Sequence, residues 1–314
     1  MLHRLSRALA FFACALALTA CGAGTKEPAQ APAASTGPAG AGSFPITVDA
    51  ANGAVALMRR PVRIVSLSPT ATETLFAIGA GGQVIAVDDQ SNYPKGAPHT
   101  KLSGYQPNIE AIAGYRPDLV VAGFDPGGLV RGLEKVHIPV LLQPAARNLA
   151  DAYAQVGQLA EATGRRAGAL KLVTVMRARI AQLVASVPHR HFTVFHELGP
   201  DLYSATSKTF IGSIYKLLGL RNIADNAGAK VQDYPKLSAE YVVSANPDLI
   251  VLSDTKCCGQ TPQTVAKRPG WNRIDAVRKG DVLAVDDDIA SRWGPRTVDF
   301  VQQVVAALKR IAGT

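Results

Sequence analysis

The fold is decided by two stretches of the sequence that repeat one another, NIEAIAGYRPDLVV at residues 108–121 and SAEYVVSANPDLIV at residues 238–251. Glu110 aligns with Glu240, and the Pro-Asp-Leu at 117–119 aligns with the Pro-Asp-Leu at 247–249, 130 residues later. Each copy has the pattern of a short amphipathic helix, a Pro-Asp turn and an apolar strand buried on both faces. The repeat predicts two equivalent lobes.

Strand and helix patterns alternate on both sides of the repeat, which predicts α/β lobes with mostly parallel sheets. Residues 148–187 carry no strand signal, and the region of Gly164 is the expected break between helices there. Residues 167–187 have the apolar spacing of a helix of about twenty residues, or about 30 Å. We therefore predict two Rossmann-like α/β lobes, residues 44–147 and 188–314, with a ligand cleft between them. One long rigid helix, within a helical connector at 148–187, is predicted to join them.

The amino terminus has the pattern of an exported protein. A basic segment at residues 3–7 precedes an apolar stretch at 8–18, which is too short to span a bilayer. Leu-Thr-Ala-Cys at 18–21 resembles the lipobox of bacterial lipoproteins, which predicts a signal peptide at 1–20 and a lipid on Cys21. An ordinary signal peptide, in which Cys21 is incidental, is the alternative. Residues 21–43 contain mostly Ala, Gly, Pro, Ser and Thr and are predicted to form a disordered tether.

The charge pattern argues against nucleic acid as a partner. The chain has a formal net charge of +9, but its Lys and Arg residues are scattered and form no basic stripe interleaved with aromatic residues. A mildly basic surface suits anionic ligands or lipid headgroups. Since no later stretch is apolar enough to cross a bilayer, the lipid on Cys21 is the expected membrane anchor.

Ligands of α/β lobes bind beyond the carboxyl ends of the strands, where this sequence has several aromatic and basic residues. Aromatic faces supply large apolar contacts at low conformational cost, and Arg292 and Arg296 suit carboxylate or phosphate groups on a ligand. The alternative for each tyrosine is that it covers an edge of the core. The candidate aromatic residues are Tyr93, Tyr105, Tyr203, Tyr234 and Trp293.

The sequence offers little for catalysis. It lacks the G-x-S-x-G, H-E-x-x-H, P-loop and G-x-G-x-x-G motifs. We interpret His196 and Glu197, which follow a predicted strand, as solvated loop residues, and a pair supporting a site is the alternative. With Asp288 they form the acid–base set of a rival interpretation, an exported two-lobe hydrolase.

An acidic run and a pair of adjacent cysteines are possible metal-binding or redox groups, but neither has a pattern that identifies its role. The run Asp286-Asp287-Asp288 lacks the spaced oxygen ligands of a calcium loop, and no metal site is predicted. The adjacent Cys257 and Cys258 could form a vicinal disulfide, remain thiols or bind a metal, and the sequence leaves these alternatives open.

Several motifs, taken together, resemble the iron-siderophore and cobalamin periplasmic-binding protein family, whose members capture ligands for ABC importers. They are RIVSLSPTATE at 63–73, NYP at 92–94, GYQPNIE at 104–110, the two Pro-Asp-Leu strands and WGPR at 293–296. The resemblance extends over nearly the whole body of the chain. It implies a rigid connecting helix, an extracytoplasmic location, permease and ATPase subunits as partners, a monomer, no catalysis and no cofactor of its own.

The resemblance also implies roles for single residues. Glu110 and Glu240 match the glutamates with which cobalamin members bind arginines of the permease, one on each lobe. Both also suit the positive end of a helix dipole, and the two interpretations are compatible. The ligand-facing aromatic residues of the family match Tyr105, Tyr203 and Tyr234, and an arginine of the last loop matches Arg292.

The sequence departs from the cobalamin members at the expected cleft. Residues 105 and 234 are tyrosine where those proteins have tryptophan, and Gln90 stands where they have tyrosine. The inter-loop disulfide of those proteins is absent, and Cys257-Cys258 is an addition. The resemblance implies a ferric siderophore or a corrinoid as the ligand, with haem as an alternative, and these departures leave the choice among them open.

Overall fold

The computed structural model describes residues 44–228 and 232–313. The predicted signal peptide, the lipidation candidate Cys21 and the predicted tether lie outside the described residues. Among the described residues, none of the helices combines the length and apolar character that a membrane crossing requires.

The first lobe begins with a β-hairpin and continues as a parallel sheet with helices. The Asn52 side chain ties the hairpin to this sheet, since its amide donates to the Val140 carbonyl (3.0 Å) and its oxygen accepts from the Leu142 amide (3.1 Å). The elements are β1 (Ile46–Ala50), β2 (Gly53–Leu57), β3 (Ile64–Leu67), α1 (Pro69–Ala77), β4 (Val84–Val87), α2 (Ile109–Gly114), β5 (Leu119–Ala122), α3 (Leu129–Glu134) and β6 (Val140–Leu142).

Two helices connect the lobes, α4 (Leu149–Thr163) and α5 (Arg166–Ala185). Gly164 follows α4 in the left-handed conformation (φ 67°), which glycine adopts without steric cost. The helix α5 packs so closely on the first lobe that a Cβ on Gly168 would lie 2.1 Å from the Ile78 carbonyl oxygen.

The second lobe repeats the strand–helix alternation. Its last helix packs on α5, where Arg179 donates to the Gln302 side chain (3.0 Å). The elements are β7 (Thr193–Glu197), α6 (Phe210–Leu217), β8 (Arg221–Asn222), α7 (Ala239–Ala245), β9 (Leu249–Leu252), α8 (Thr255–Cys258), α9 (Pro262–Ala266), α10 (Asp275–Lys279), β10 (Val282–Ala284), α11 (Asp287–Ser291) and α12 (Thr297–Gly313).

The two sheets have the same topology. Their strand orders are β4-β3-β5-β6 and β8-β7-β9-β10, and every pair within them is parallel. In each of these sheets, the strand that comes first in the chain, β3 or β7, lies between the second and the third, and the fourth lies beyond the third. The prediction of two equivalent α/β lobes is therefore confirmed.

The repeated strands are buried on both faces, as their composition predicts. In the first lobe, Leu119 and Val121 of β5 face one apolar cluster, and Val120 and Ala122 face another. In the second lobe, Leu249 and Val251 of β9 alternate in the same way with Ile250 and Leu252. Each sheet thus lies between two cores, which matches the short uninterrupted apolar runs of the sequence.

Some elements differ from those that the sequence pattern predicted. The hairpin β1–β2 was not predicted, although Asn52-Gly53 between alternating residues is a strong hairpin signal. The short helices α8, α9 and α11 were also missed, since four or five residues show too little periodicity to reveal a helix.

Candidate ligand-binding cleft

A cavity of about 320 Å³ lies between the lobes. The first lobe contributes the carboxyl end of β3, the start of α1 and the loops that follow β4 and β5. The second lobe contributes α11 and the two residues after it. The residues used below are Asp88, Gln90, Tyr105, Phe124, Asp288, Arg292 and Trp293.

A larger groove, of about 580 Å³, lies elsewhere on the first lobe alone. It is bordered by β2 and by residues 117–118 and 137–140, at the amino ends of β5 and β6. Ligands of parallel α/β sheets bind at the carboxyl ends of the strands. The smaller cavity, which both lobes form, is therefore the candidate ligand site.

Aromatic rings form one wall of this cavity. Tyr105 and Phe124 pack with ring centroids 5.1 Å apart, and 65% of Tyr105 and 44% of Phe124 is exposed. Gly104 lets the Tyr105 loop lie against the end of β3, because a Cβ there would lie 2.8 Å from the Leu67 carbonyl oxygen. Phe124 was not among the predicted aromatic residues, although only Gly123 separates it from the carboxyl end of β5.

Trp293 also borders the cavity, and its indole Nε1 donates to the side chain of Gln155 on α4 (2.7 Å). The other predicted aromatic residues are not among those that line it. Tyr93 lies under the guanidinium of Arg296, whose Cζ is 4.4 Å from the centroid of the Tyr93 ring. Tyr203 and Tyr234 are half-exposed on adjacent segments of the second lobe, joined where the Ser204 amide donates to the Pro235 carbonyl (2.9 Å).

Arg292 and Arg296 are both paired with carboxylates of the protein. Both reach from the second lobe to Glu73 of α1, which is 2% exposed. Arg292 Nη1 lies 2.8 Å from Glu73 Oε1, and Arg296 donates to both carboxylate oxygens from Nε (2.9 Å) and Nη2 (2.5 Å). Glu73 was not a predicted site residue, since an isolated glutamate on a helix carries no signal of its partners.

Further bonds of Arg292 complete the connection between the lobes. Its guanidinium donates to the Gln90 carbonyl (2.9 Å), the Asn92 side chain (3.0 Å) and the Asp288 carboxylate (2.6 Å). The guanidinium of Arg292 thus lines the cavity and is neutralised and hydrogen-bonded by the protein, and its predicted role in ligand binding stays a prediction.

Asp288 is held by two cations of the second lobe, Lys256 and Arg292, and by one side-chain amide of the first lobe. It accepts from Lys256 Nζ (2.9 Å) and from the Asn92 side-chain amide (2.8 Å). Burial alone raises the pKa of Asp288, but these two hydrogen bonds and the charge of Arg292 outweigh it and hold the pKa below its ordinary value. Asp288 is therefore ionised at neutral pH.

Asp88 supplies a second carboxylate to the cavity wall. It is 2% exposed, and burial raises its pKa to about 6 against the opposing hydrogen bond from Ser91. Ser91 is in turn bonded to Thr72 of α1 (2.9 Å). At neutral pH Asp88 is mostly ionised and adds negative charge to this wall.

His196 and Glu197 are buried, and the interpretation of them as solvated loop residues is wrong. They end strand β7, both are 0% exposed, and their side chains have different partners. His196 bonds Tyr215 through Nδ1 (2.7 Å) and Ser253 through Nε2 (2.9 Å), and burial lowers its pKa to about 3. Neither residue bonds Asp288 in the described part of the chain, so the acid–base set of the hydrolase interpretation is not assembled.

Glu197 forms a buried ion pair with Arg268. Both guanidinium Nη atoms donate to its carboxylate, at 2.6 and 2.5 Å. The neighbouring Asp254 is also fully buried, and its carboxylate oxygens have no hydrogen-bond partner among the described residues. Burial, and then the charge of Glu197, raise the pKa of Asp254 to about 7.

Cys257 and Cys258 are joined by a disulfide in α8, which is one of the three alternatives that the sequence left open. The Asp287 carboxylate accepts from the backbone amides of residues 255, 256 and 257 and so fixes the start of this short helix. Within residues 44–228 and 232–313, no group of three or more His, Cys, Asp or Glu side chains is arranged to hold a metal ion.

Glu110 and Glu240 occupy equivalent exposed positions on the two lobes. Each lies in the first turn of its helix, α2 or α7, next to an N-cap side chain, Asn108 or Ser238. In the described part of the chain, neither glutamate is in an ion pair with a basic side chain. They are thus available to a partner, and their docking role stays a prediction.

Comparison with known proteins places these features in context. The family model described as "Periplasmic binding protein" matches residues 64–289. An uncharacterised ABC transporter substrate-binding lipoprotein of Bacillus subtilis, YvrC, is 30% identical over 84% of this chain and 86% of its own length. A cobalamin-binding protein of Halobacterium salinarum is 32% identical over 84% of this chain and 74% of its own length.

A solved structure gives a similar result. A possible iron-binding, periplasmic solute-binding protein from Staphylococcus epidermidis is 26% identical, with a TM-score of 0.68 over 79% of this chain and 99% of that protein. The two-lobe architecture described above is therefore also that of a solved solute-binding protein.

Proposed function

Because this chain belongs to the periplasmic binding protein family, we propose that it is the substrate-binding component of an ABC importer and captures a corrinoid or a ferric siderophore. The observation that carries this proposal is the cavity between the lobes, to which both lobes contribute side chains. The relatives named as cobalamin-binding and as possible iron-binding proteins support the two ligand classes. Haem is the alternative ligand.

The cavity suits a large ligand with apolar faces. The exposed rings of Tyr105 and Phe124 offer a stacking surface, and Trp293 faces the same space from the second lobe. A cavity of about 320 Å³ that opens to solvent accommodates part of such a ligand and leaves the rest outside the cleft. Binding in this way requires little movement of the lobes.

We further propose that the protein acts outside the cytoplasm and is anchored through a lipid on Cys21, with Glu110 and Glu240 contacting the permease. The lipoprotein name of the Bacillus subtilis relative supports the anchor. One exposed carboxylate on each lobe fixes the orientation of docking, because both must meet arginines of the permease at once.

Equilibrium titration of the purified protein tests the proposed function. We expect cyanocobalamin or a ferric trihydroxamate to bind with a dissociation constant below about 10 µM, and the ligand to be recovered unchanged. Uptake of the same ligand should fall in a strain that lacks the protein. Turnover of the ligand would support the hydrolase interpretation instead, and binding of haemin in preference to both would establish the haem alternative.

A further inference from the structure

We propose that Glu73 and Asp288 determine the charge of the ligand that this cleft accepts: by neutralising the arginines of the cleft, they favour neutral or cationic ligands and exclude polyanionic ones. This inference rests on the proposed function and concerns the selectivity of the same site. It assigns a specificity role to two residues of which one, Glu73, does not touch the cavity.

The geometry removes both arginines from ligand binding. Glu73 is buried in α1 beneath the cavity wall, where it holds the guanidinium groups of Arg292 and Arg296. Asp288 holds the other side of Arg292 at 2.6 Å. A ligand carboxylate or catecholate would have to displace a protein carboxylate from these guanidinium groups.

The cost of that displacement is high at Glu73. Separating a buried carboxylate from its cations leaves an uncompensated charge in a low-dielectric environment, which is strongly unfavourable. Glu73 is 2% exposed and therefore gains little from water when its partners leave. An anionic ligand would gain bonds to the arginines, but it offers no donor to replace those that Glu73 loses.

The charges of the ion-paired side chains at this wall balance. Glu73, Asp286 and Asp288 are negative, and Arg292, Arg296 and Lys256 are positive, with Lys256 Nζ lying 2.7 Å from Asp286 and 2.9 Å from Asp288. Asp88 adds a further carboxylate that is mostly ionised at neutral pH. The wall is thus neutral to slightly negative, although the whole chain carries a formal charge of +9.

A consequence follows for ligands of similar size and different charge. A neutral corrinoid or a cationic ferric trihydroxamate can keep its polar or charged groups hydrogen-bonded or in water. Neither ligand is repelled by the neutral to slightly negative charge of this wall. A trianionic ferric tricatecholate would be desolvated without an available cation, which is unfavourable.

The test compares cyanocobalamin, a cationic ferric trihydroxamate and a ferric tricatecholate in titrations of the unmodified protein, Glu73→Gln and Asp288→Asn. Glu73→Gln keeps the side-chain shape and releases guanidinium charge, so we expect affinity for the tricatecholate to rise about tenfold. Affinity for the neutral or cationic ligand should change by less than about threefold. If Glu73→Gln does not fold, Asp288→Asn replaces it in the test, because Asp288 is only partly buried. Asp288→Asn should likewise raise the affinity for the tricatecholate.

Asp299→Asn is the matched control, since it adds the same net charge at an exposed position on α12. It should leave all affinities unchanged. Equal gains for the tricatecholate in this control, or tight binding of the tricatecholate by the unmodified protein, would overturn the inference and leave the proposed function intact. Failure of the folded protein to bind any of the three ligands would overturn the proposed function and this inference together.

Discussion

Asp118 and Asp248 make the same contact in the two sheets, although 130 residues separate them. The Asp118 carboxylate accepts from the Arg63 amide at the start of β3 (2.9 Å), and its own amide donates to the Arg63 carbonyl (2.9 Å). Asp248 does the same with Thr193 at the start of β7 (2.7 and 3.1 Å). The repeated Pro-Asp therefore joins β5 to β3 in the first lobe and β9 to β7 in the second.

Replacing these aspartates should destabilise the protein to different degrees. Asp248→Ala leaves the partly buried Thr193 amide and hydroxyl without their acceptor, so we expect a loss of about 1–3 kcal/mol in the free energy of unfolding. Asp118→Ala should cost less, under about 1 kcal/mol, because its contacts are exposed and water can replace them. Urea denaturation measures both values, and an equal or reversed order would contradict this account.

The repeat explains why the fold was largely predictable from the sequence. Buried parallel strands need continuous apolar runs, and the Pro-Asp turn marks where β5 and β9 begin, so the pattern of 108–121 and 238–251 predicts both the strands and their equivalence. The hairpin β1–β2 has a separate signal, the Asn52-Gly53 turn. The short helix α8 had none, because its start depends on Asp287, some thirty residues later in the chain.

The site was predictable only in part. The loops after the strands could be placed at one edge of each sheet, which brought Tyr105, Arg292 and Trp293 to the cavity. The partners of those side chains could not be predicted, because the contact between Glu73 and Arg292 depends on how two lobes meet. For the same reason the sequence does not show that Arg292 and Arg296 are neutralised by carboxylates of the protein.

Two helical glycines should respond to alanine in opposite ways. In Gly168→Ala, the new Cβ would lie 2.1 Å from the Ile78 carbonyl oxygen, so α5 must move away from α1. We expect a loss of about 2–4 kcal/mol in the free energy of unfolding. In Gly157→Ala, on α4, no atom lies within 4 Å of the Cβ, and the better helix propensity should stabilise the protein by up to about 1 kcal/mol. Thermal denaturation of both variants tests the packing of the connector, and destabilisation by Gly157→Ala would count against it.

Asp254 should make stability depend on pH. Its pKa is raised from 3.8 to about 7, so the folded state holds this proton more tightly than the unfolded state, and the stability it contributes is lost as the pH rises from about 4 to 7. Asp254→Asn imitates the protonated form. We expect the variant to equal the unmodified protein near pH 4 and to exceed it at pH 8 by about 1–3 kcal/mol. Melting temperatures across this pH range measure the difference; Asp201→Asn, an exposed carboxylate near Lys236, is the control and should show none of it.

Tyr105 should contribute more to ligand affinity than Tyr234. Tyr105 borders the cavity and pairs with Phe124, so Tyr105→Ala should weaken binding by about 1–3 kcal/mol, whereas Tyr105→Phe keeps the stacking face and most of the affinity. Tyr234→Ala should cost less, because Tyr234 is not among the residues that line the cavity. Calorimetric titration measures each effect. Tyr153→Ala, on α4 outside the cleft, is the control, and no loss with Tyr105→Ala would place the ligand elsewhere.

Glu110 and Glu240 should affect transport and leave ligand binding unchanged. Both are exposed in the first turn of equivalent helices, so the double substitution to alanine removes two charges from the surface without altering the cavity. We expect ligand affinity within about twofold of the unmodified protein and uptake by whole cells to be lost. The matched control replaces Glu134 and Asp299, exposed carboxylates elsewhere on the first and second lobes, and should transport normally. Equal loss of uptake in the control would show a general charge effect, and lost ligand affinity in the test variant would place the two glutamates in the binding site.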